Sequence, residues 1–425
     1  MIPSTRRSNS GGRVLVAVLL LPAFFPYIGI FSGIDMQPIG LLAMITALTL
    51  TFIVKKIRIN LVHLSLLSAT TIVAVSRLLY QFLVGEVSPD VSMSVMAFGQ
   101  TMFHLTTILV AYLIIASGVF APTSKYIGFI AFVYVCVAMF QVIVDEQIAS
   151  ELVYRGYQEL ETSGRGVRSL ASEPAVFGNL LLLLSGFFML IAARERWSAK
   201  GFLVLQAVLL GATIFLSQSV YAISVHFIVF LAATSVVSWR LCLVILLAAV
   251  WAVVGFLVTI EAEGVRALFI LQALIEDPIL LYEQGAILRV MNVPVSVYGG
   301  VLHGVFGAGF GSGQIVAGSI PALPGYPIPF EIGDRLVGGS VELFLRLGIG
   351  AVPLLFFYLF QIIRIGKMRV QIDARRLWIG FPLALVIFLT SFTYSSIANP
   401  MVWLLFFGTL AWGASLSRDT VSLNA

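Results

Sequence analysis

The sequence predicts an all-α polytopic membrane protein, and three observations carry that prediction. Aliphatic and aromatic residues make up 60% of the 425-residue chain, only 11% is charged, and mean hydropathy is +1.03. A soluble fold cannot hide that much apolar surface. Apolar runs long enough to cross a bilayer, about 20 residues each, recur from end to end. The basic residues fall in alternate connections between those runs, as they do when one side of a membrane holds them.

Taken in order, the runs predict twelve spans: 14–31, 38–54, 61–84, 92–120, 126–144, 175–193, 201–217, 221–238, 241–260, 336–363, 377–392 and 400–415. The first follows the basic segment MIPSTRRSNSGGR and shows no small-residue cleavage site, so it reads as an uncleaved span. The break at SQSVY (217–221) is only weakly polar and is the least marked boundary. The two cysteines, Cys136 and Cys242, lie inside apolar runs, where they neither staple exposed loops nor form a metal motif. No repeat or low-complexity tract divides the chain, which reads as a single membrane domain.

Lysine and arginine set the expected orientation. With both termini inside, the inner segments hold 17 of the 25 basic residues, all five lysines among them, and only Glu195, Asp373 and Asp419 of the 20 acids. The net charge of +5 therefore does not point to nucleic acid, because the excess sits in short connections between spans. The outer face carries two large loops, 145–174 and 261–335. A loop as long as the second is usually functional or disordered, and this one contains apolar pieces (LFILQALI, AILRVMNVPVSVY) that predict a fold back onto the membrane.

Polar chemistry is concentrated in few places. RGVRSLASEPAVFG (165–178) is a basic stretch that runs straight into an apolar helix. Outer arginines run against the usual charge bias, yet Arg155, Arg165, Arg168, Arg266, Arg289 and Arg335 occupy the two loops. The planar guanidinium grips phosphate at two points, although the same arginines can instead pair with nearby acids. Ser172 suits a helix N-cap, Pro174 a first helical position and Glu173 a first-turn acid. Glu173 is also within reach of Arg168, to orient it or to act as a base.

In the second loop His303 opens HGVFGAGFGSGQ, with Gly307, Gly309, Gly311 and Gly313 at two-residue spacing. This is not a nucleotide fingerprint, for it lacks the strand–helix context. Glycines let backbone amides approach an anion or a sugar, or simply allow a re-entrant turn. His303 could serve as general base for a hydroxyl, or be only a polar loop residue.

Charges inside spans are default candidates for function. Arg77 has no partner on its own helix. Glu342 and Arg346 stand four apart on one helix face and can pair. His104 and His226 read as hydrogen-bonded packing residues. Ser217, Gln218 and Ser219 end the seventh span, where they can contact a ligand or cap a helix. No DxD, HExxH or Ser–His–Asp pattern marks a metal or hydrolase site, and no cofactor is expected.

The residues RGVRSLASEPAVFGNLL, the arginine of AILRVMNVP, VFGAGFGSG and GSVELFLRLGIGAVPLL, over roughly 154–360, together resemble the O-antigen polymerase and O-antigen ligase superfamily of bacterial inner-membrane proteins, in the branch that polymerises exopolysaccharides. The resemblance implies a metal-independent glycosyltransferase whose two large loops are periplasmic. Its substrates would be oligosaccharides on undecaprenyl diphosphate, one as donor and one as acceptor, with a flippase and a chain-length regulator as possible partners. Arg165, Arg168 and Arg289 would bind diphosphate, Arg77, Arg335 and Ser217 would support them, and His303 or Glu173 would be the base. Many relatives carry a histidine just before the span after the large loop, where this chain reads DRLVGGSVE. A ligase moving finished glycan to lipid or protein shares the same architecture. A secondary transporter is a further alternative, but the two halves show no duplication.

Overall fold

The computed structural model describes residues 10–29, 36–54, 59–84, 91–145, 147–153, 166–195, 197–259, 296–311, 340–372, 375–394 and 399–422. In chain order the helices are α1 (Ser10–Leu19), α2 (Ile39–Val54), α3 (Leu61–Val84), α4 (Val91–Ala116), α5 (Ser124–Ile143), α6 (Pro174–Glu195), α7 (Ala199–Ala212), α8 (Val220–Val237), α9 (Trp239–Thr259), α10 (Val341–Leu347), α11 (Val352–Gly366), α12 (Gly380–Phe388) and α13 (Pro400–Ser422). Among the described residues, seven helical segments are long and apolar enough to cross a membrane: Leu61–Val84, Ser94–Ala116, Ser124–Ile143, Pro174–Glu195, Ala199–Ser217, Val220–Val237 and Val341–Gly366. Four apolar helices are shorter: Ile39–Phe52, Trp239–Ala252, Gly380–Ser391 and Pro400–Gly413. The protein is thus a helical bundle of membrane character.

Helix α6 is its hub. The run LLLLLSGFFMLIAA is apolar on every face, as suits a helix surrounded by lipid or by protein, and here protein surrounds it. Residues 177–193 are all buried, against α5, α7, α8, α12 and α13. Small residues set the close crossings, as lipid-embedded helices require. A Cβ on Gly178 would stand 2.3 Å from the Ala222 Cβ of α8.

The helices alternate in direction, and that gives the bundle two chemically distinct ends. Glu195 at the end of α6 accepts from the Ser124 amide at the start of α5 (3.3 Å), so α5 and α6 are antiparallel. A Cβ on Gly408 of α13 would lie 3.5 Å from Leu190 Cδ2 and 4.0 Å from Ile115 Cδ1, so the last turns of α6 and α4 meet there and the two run the same way. One end, the basic end, exposes Lys125, Arg194, Lys200, Arg240, Arg364, Lys367 and Arg369. The opposite end, the loop end, exposes Asp145, Glu151 and Glu173 and carries no lysine among the described residues. Its described arginines, Arg77, Arg168 and Arg346, are buried or half-buried.

The structure departs from the sequence reading at several spans. Run 14–31 is not one helix: α1 stops at Leu19 and a 3-10 turn, Leu21–Phe24, follows, because Pro22 and Pro26 offer no amide. Run 336–363 is interrupted by a 3-10 turn, Gly348–Ala351, between α10 and α11, where Gly348 adopts φ 54° and Pro353 starts the next helix. A short antiparallel hairpin, β1 (Val370–Ile372) and β2 (Arg375–Leu377), joins α11 to α12, a local exception to an all-helical fold. The weak boundary at SQSVY is a true break. There α7 ends in a π-turn, Thr213–Ser217, Gln218 is left-handed (φ 52°), and Ser219 caps α8.

Two outcomes test this arrangement. Asp145→Cys and Lys200→Cys, each introduced singly, are expected to react with an impermeant maleimide from opposite sides of a sealed membrane; labelling from one side would refute the two-ended bundle. Gly178→Leu is expected to lower the melting temperature of purified protein through an overpacking cost of about 1–3 kcal/mol. Gly128→Ala, whose Cβ would meet nothing within 4 Å, is expected to melt like the parent.

Candidate functional site

Two stretches of non-helical backbone meet the loop end, and each is held by side chains from neighbouring helices. The first is 166–174. Gly166 adopts φ 76°, and a Cβ there would stand 2.3 Å from the Ser217 carbonyl oxygen, so only glycine permits the approach. The next amide, Val167 N–H, donates to Leu216 O (2.8 Å). Ser169 is a buried left-handed residue (φ 53°), a conformation that costs a non-glycine residue of order 1 kcal/mol or more. Its neighbours over-determine it. Gln141 of α5 accepts from Ser169 N–H (2.7 Å) and donates to Ser169 O (3.2 Å), while the Ser169 hydroxyl donates to Tyr134 O (2.5 Å).

Arg168 lies between these two anchored residues, half-buried, in the segment that leads into α6. The helix begins at Pro174, one residue later than a Ser172 cap would place it. Glu173 therefore holds the capping position, and its carbonyl accepts from Phe177 N–H (3.0 Å). The Glu173 side chain is exposed. Ser217 is fully buried and donates its hydroxyl to Pro174 O (2.7 Å), so it braces the segment's far end.

The second stretch follows the helical residues 296–302, whose Gly300 abuts Phe344 of α10: a Cβ there would lie 2.5 Å from the Phe344 ring. His303 is exposed at the end of that helix and bonds Gly299 O through its amide (3.2 Å). The chain then turns through Gly304–Phe306 and docks on three helices. Arg77 Nη2 donates to Gly307 O (3.2 Å). Ala308 N–H donates to Leu345 O (2.8 Å). Gln81 of α3 accepts from Phe310 N–H (3.0 Å) and donates to Phe310 O (3.3 Å), and the Ser94 hydroxyl of α4 joins that carbonyl (3.1 Å).

This geometry corrects two sequence readings. The alternate glycines give close packing against protein: a Cβ on Gly307 would fall 2.4 Å from Gly348 N, and one on Gly309 2.6 Å from Gln81 Nε2. The Ala308 and Phe310 amides are used in docking and are not offered to a ligand. Arg77 does have a partner on its own helix. Its guanidinium lies 5.4 Å from the Tyr80 ring, which stacks on Phe306 (5.6 Å).

Nearby, Glu342 and Arg346 form the expected ion pair, and Arg346 also donates to Ala97 O and Thr101 Oγ1 (both 2.7 Å) and to Gln100 Oε1 (3.3 Å). That set makes it a brace between α10 and α4. His104 is buried on α4 and His226 on α8.

The structure therefore brings Ser217 to the Arg168 segment and Arg77 to the glycine-rich loop, and it exposes Glu173 and His303 at the same end of the bundle. Arg155, Arg165, Arg266, Arg289, Arg335 and Gly313 lie outside the described residues. Sequence reasoning passed over Gln81, Ser94, Gln141 and Ser169. Gln81 had a signal, for it stands four residues after Arg77 and so shares its helix face. Gln141 had only its polarity near the end of an apolar run. No family model matches the chain, and no curated protein matches it.

Gln81→Ala removes the partner of the buried Phe310 amide and one of the two partners of its carbonyl, leaving Ser94 on the latter. The expected loss is about 1–3 kcal/mol, read as a lower melting temperature, with a similar loss for Gln141→Ala. Unchanged melting of both variants would show that neither loop is docked in this way.

Proposed function

We propose that this chain is a polysaccharide polymerase of the bacterial inner membrane, joining oligosaccharide repeat units carried on undecaprenyl diphosphate at the periplasmic face. The observation that supports the reading most is the fixing of Arg168 between two anchored residues in the segment that leads into α6, on the end of the bundle opposite the exposed basic residues. By the positive-inside rule the basic end is cytoplasmic, together with both termini, and the loop end is periplasmic. Twelve spans and two large periplasmic loops belong to the same reading.

In this reaction the bond between the donor's reducing-end sugar and its lipid diphosphate breaks, and a bond to a hydroxyl of the acceptor's non-reducing sugar forms. The electron pair leaves with the diphosphate, and the hydroxyl proton passes to a base. Periplasm holds no nucleotide to drive the step, so the donor arrives activated. Neutralising the departing diphosphate is the main catalytic demand, and preorganised cations meet it without reorganising. Arg168, Arg165 and Arg289 take that role, and Arg335 supports them. Arg77 and Ser217 act at one remove, by holding the backbone of the two loops. His303 or Glu173, two of the exposed titratable groups at this end, receives the proton. An oxocarbenium-like transition state asks little of that base.

The test is glycan length on the lipid carrier in cells carrying Arg168→Ala, Arg289→Ala or His303→Ala at normal membrane abundance. Accumulation of single repeats, with long chains reduced at least about a hundredfold in either arginine variant, is expected from loss of transition-state charge stabilisation. Long chains that form but stay on the carrier would identify a ligase instead. Normal glycan from both arginine variants would refute glycosyl transfer.

A further inference from the structure

The π-turn at the end of α7 is one of two parts of the fold to which the Arg168 segment is tied, and a buried histidine touches its first residue. The turn, Thr213–Ser217, is closed by Gln218 N–H donating to Thr213 O (3.1 Å). Single π-turns inside helices are uncommon and recur at functional positions. This one carries the contacts at the two ends of the segment, while α5 holds Ser169 between them. Leu216 O receives Val167 N–H, Ser217 O packs against Gly166, and the Ser217 hydroxyl reaches Pro174 O.

Thr213 starts the turn. Its Oγ1 lies 3.0 Å from Leu209 O and 2.8 Å from Nδ1 of His226 on α8, and both side chains are fully buried. A hydroxyl has one proton. A carbonyl oxygen only accepts, so that proton goes to Leu209 O, and the Thr213 oxygen must accept from Nδ1–H. The imidazole is thereby held in one tautomer. Its Nε2 is an acceptor with no hydrogen-bond partner among the described residues.

We infer that His226 is a positioning residue for the Arg168 site, acting through its Nδ1–H on Thr213 to hold the π-turn in the shape that seats residues 166–174 at the mouth of α6. The inference rests on the reading of that segment as the site. The role belongs to Nδ1, and this makes it separable by substitution. In His226→Asn the amide nitrogen stands the same number of bonds from Cα as Nδ1 does. In His226→Gln it reaches the place of Nε2. His226→Leu has neither donor, and Thr213→Val removes the acceptor at nearly constant volume.

The experiment uses the full-length chain with Cys136→Ala and Cys242→Ala, carrying Ser172→Cys within the half-buried segment, in sealed membranes. The labelling rate of that cysteine by an impermeant maleimide reports the seating of the segment, and glycan chain length in cells reports activity. Without the Thr213 bond, in His226→Leu and Thr213→Val, labelling is expected to rise about fivefold and long chains to shorten. His226→Asn is expected to restore both readouts and His226→Gln neither. Parental labelling in both His226→Leu and Thr213→Val would overturn the inference, and so would rescue by glutamine in place of asparagine. If His226→Leu fails to accumulate, the asparagine–glutamine comparison decides alone. Arg168→Ala separates the two claims: normal glycan from that variant would defeat the polymerase reading, while the labelling rates still decide whether His226 seats the segment.

Discussion

Backbone that leaves the helix near a membrane must find protein partners for its N–H and C=O groups, because lipid offers none. Both turns at the loop end of this protein obey that constraint by the same device. A glutamine near the end of a helix pairs with one loop residue twice, accepting from its amide and donating to its carbonyl. Gln141 does this for Ser169, and Gln81 for Phe310. A primary amide is the one uncharged side chain that presents a donor and an acceptor side by side, as a neighbouring strand would.

What these clamps permit is a rigid polar surface on an apolar bundle. Ser169 keeps a left-handed backbone because three hydrogen bonds hold it there. Gly166 and Gly307 come within contact of other backbone because neither has a side chain. Arg346 ties α10 to α4 through Ala97, Thr101 and Gln100 and pairs with Glu342, fixing the broken α10–α11 segment against which Ala308 docks. The backbone on either side of Arg168 is held by residues from other elements, Gln141 through Ser169 and Leu216 through Val167.

The distribution of charge gives the bundle its polarity. Exposed cations ring one end, whereas the described arginines of the other are drawn into the protein. In the polymerase reading this difference separates two uses of positive charge. Mobile surface lysines and arginines set topology. Guanidinium groups held in partly desolvated positions act on an anion more strongly than the same groups would in water.

Sequence by itself determined the membrane class, the start of an apolar helix at Pro174, the break at SQSVY, the Glu342–Arg346 pair and the two-sided distribution of charge. These follow from composition and short spacing, which act locally. Only the tertiary structure decided that Gly307, Gly309 and Gly311 serve protein packing, that Arg77 reaches Gly307 and Tyr80, and that Ser217 braces Pro174. Those facts depend on pairs such as Arg77 with Gly307 and Gln81 with Phe310, more than two hundred residues apart. No local pattern records them, because a hydrogen bond across helices is specified by how the helices pack, and a one-dimensional reading holds only the donors and acceptors.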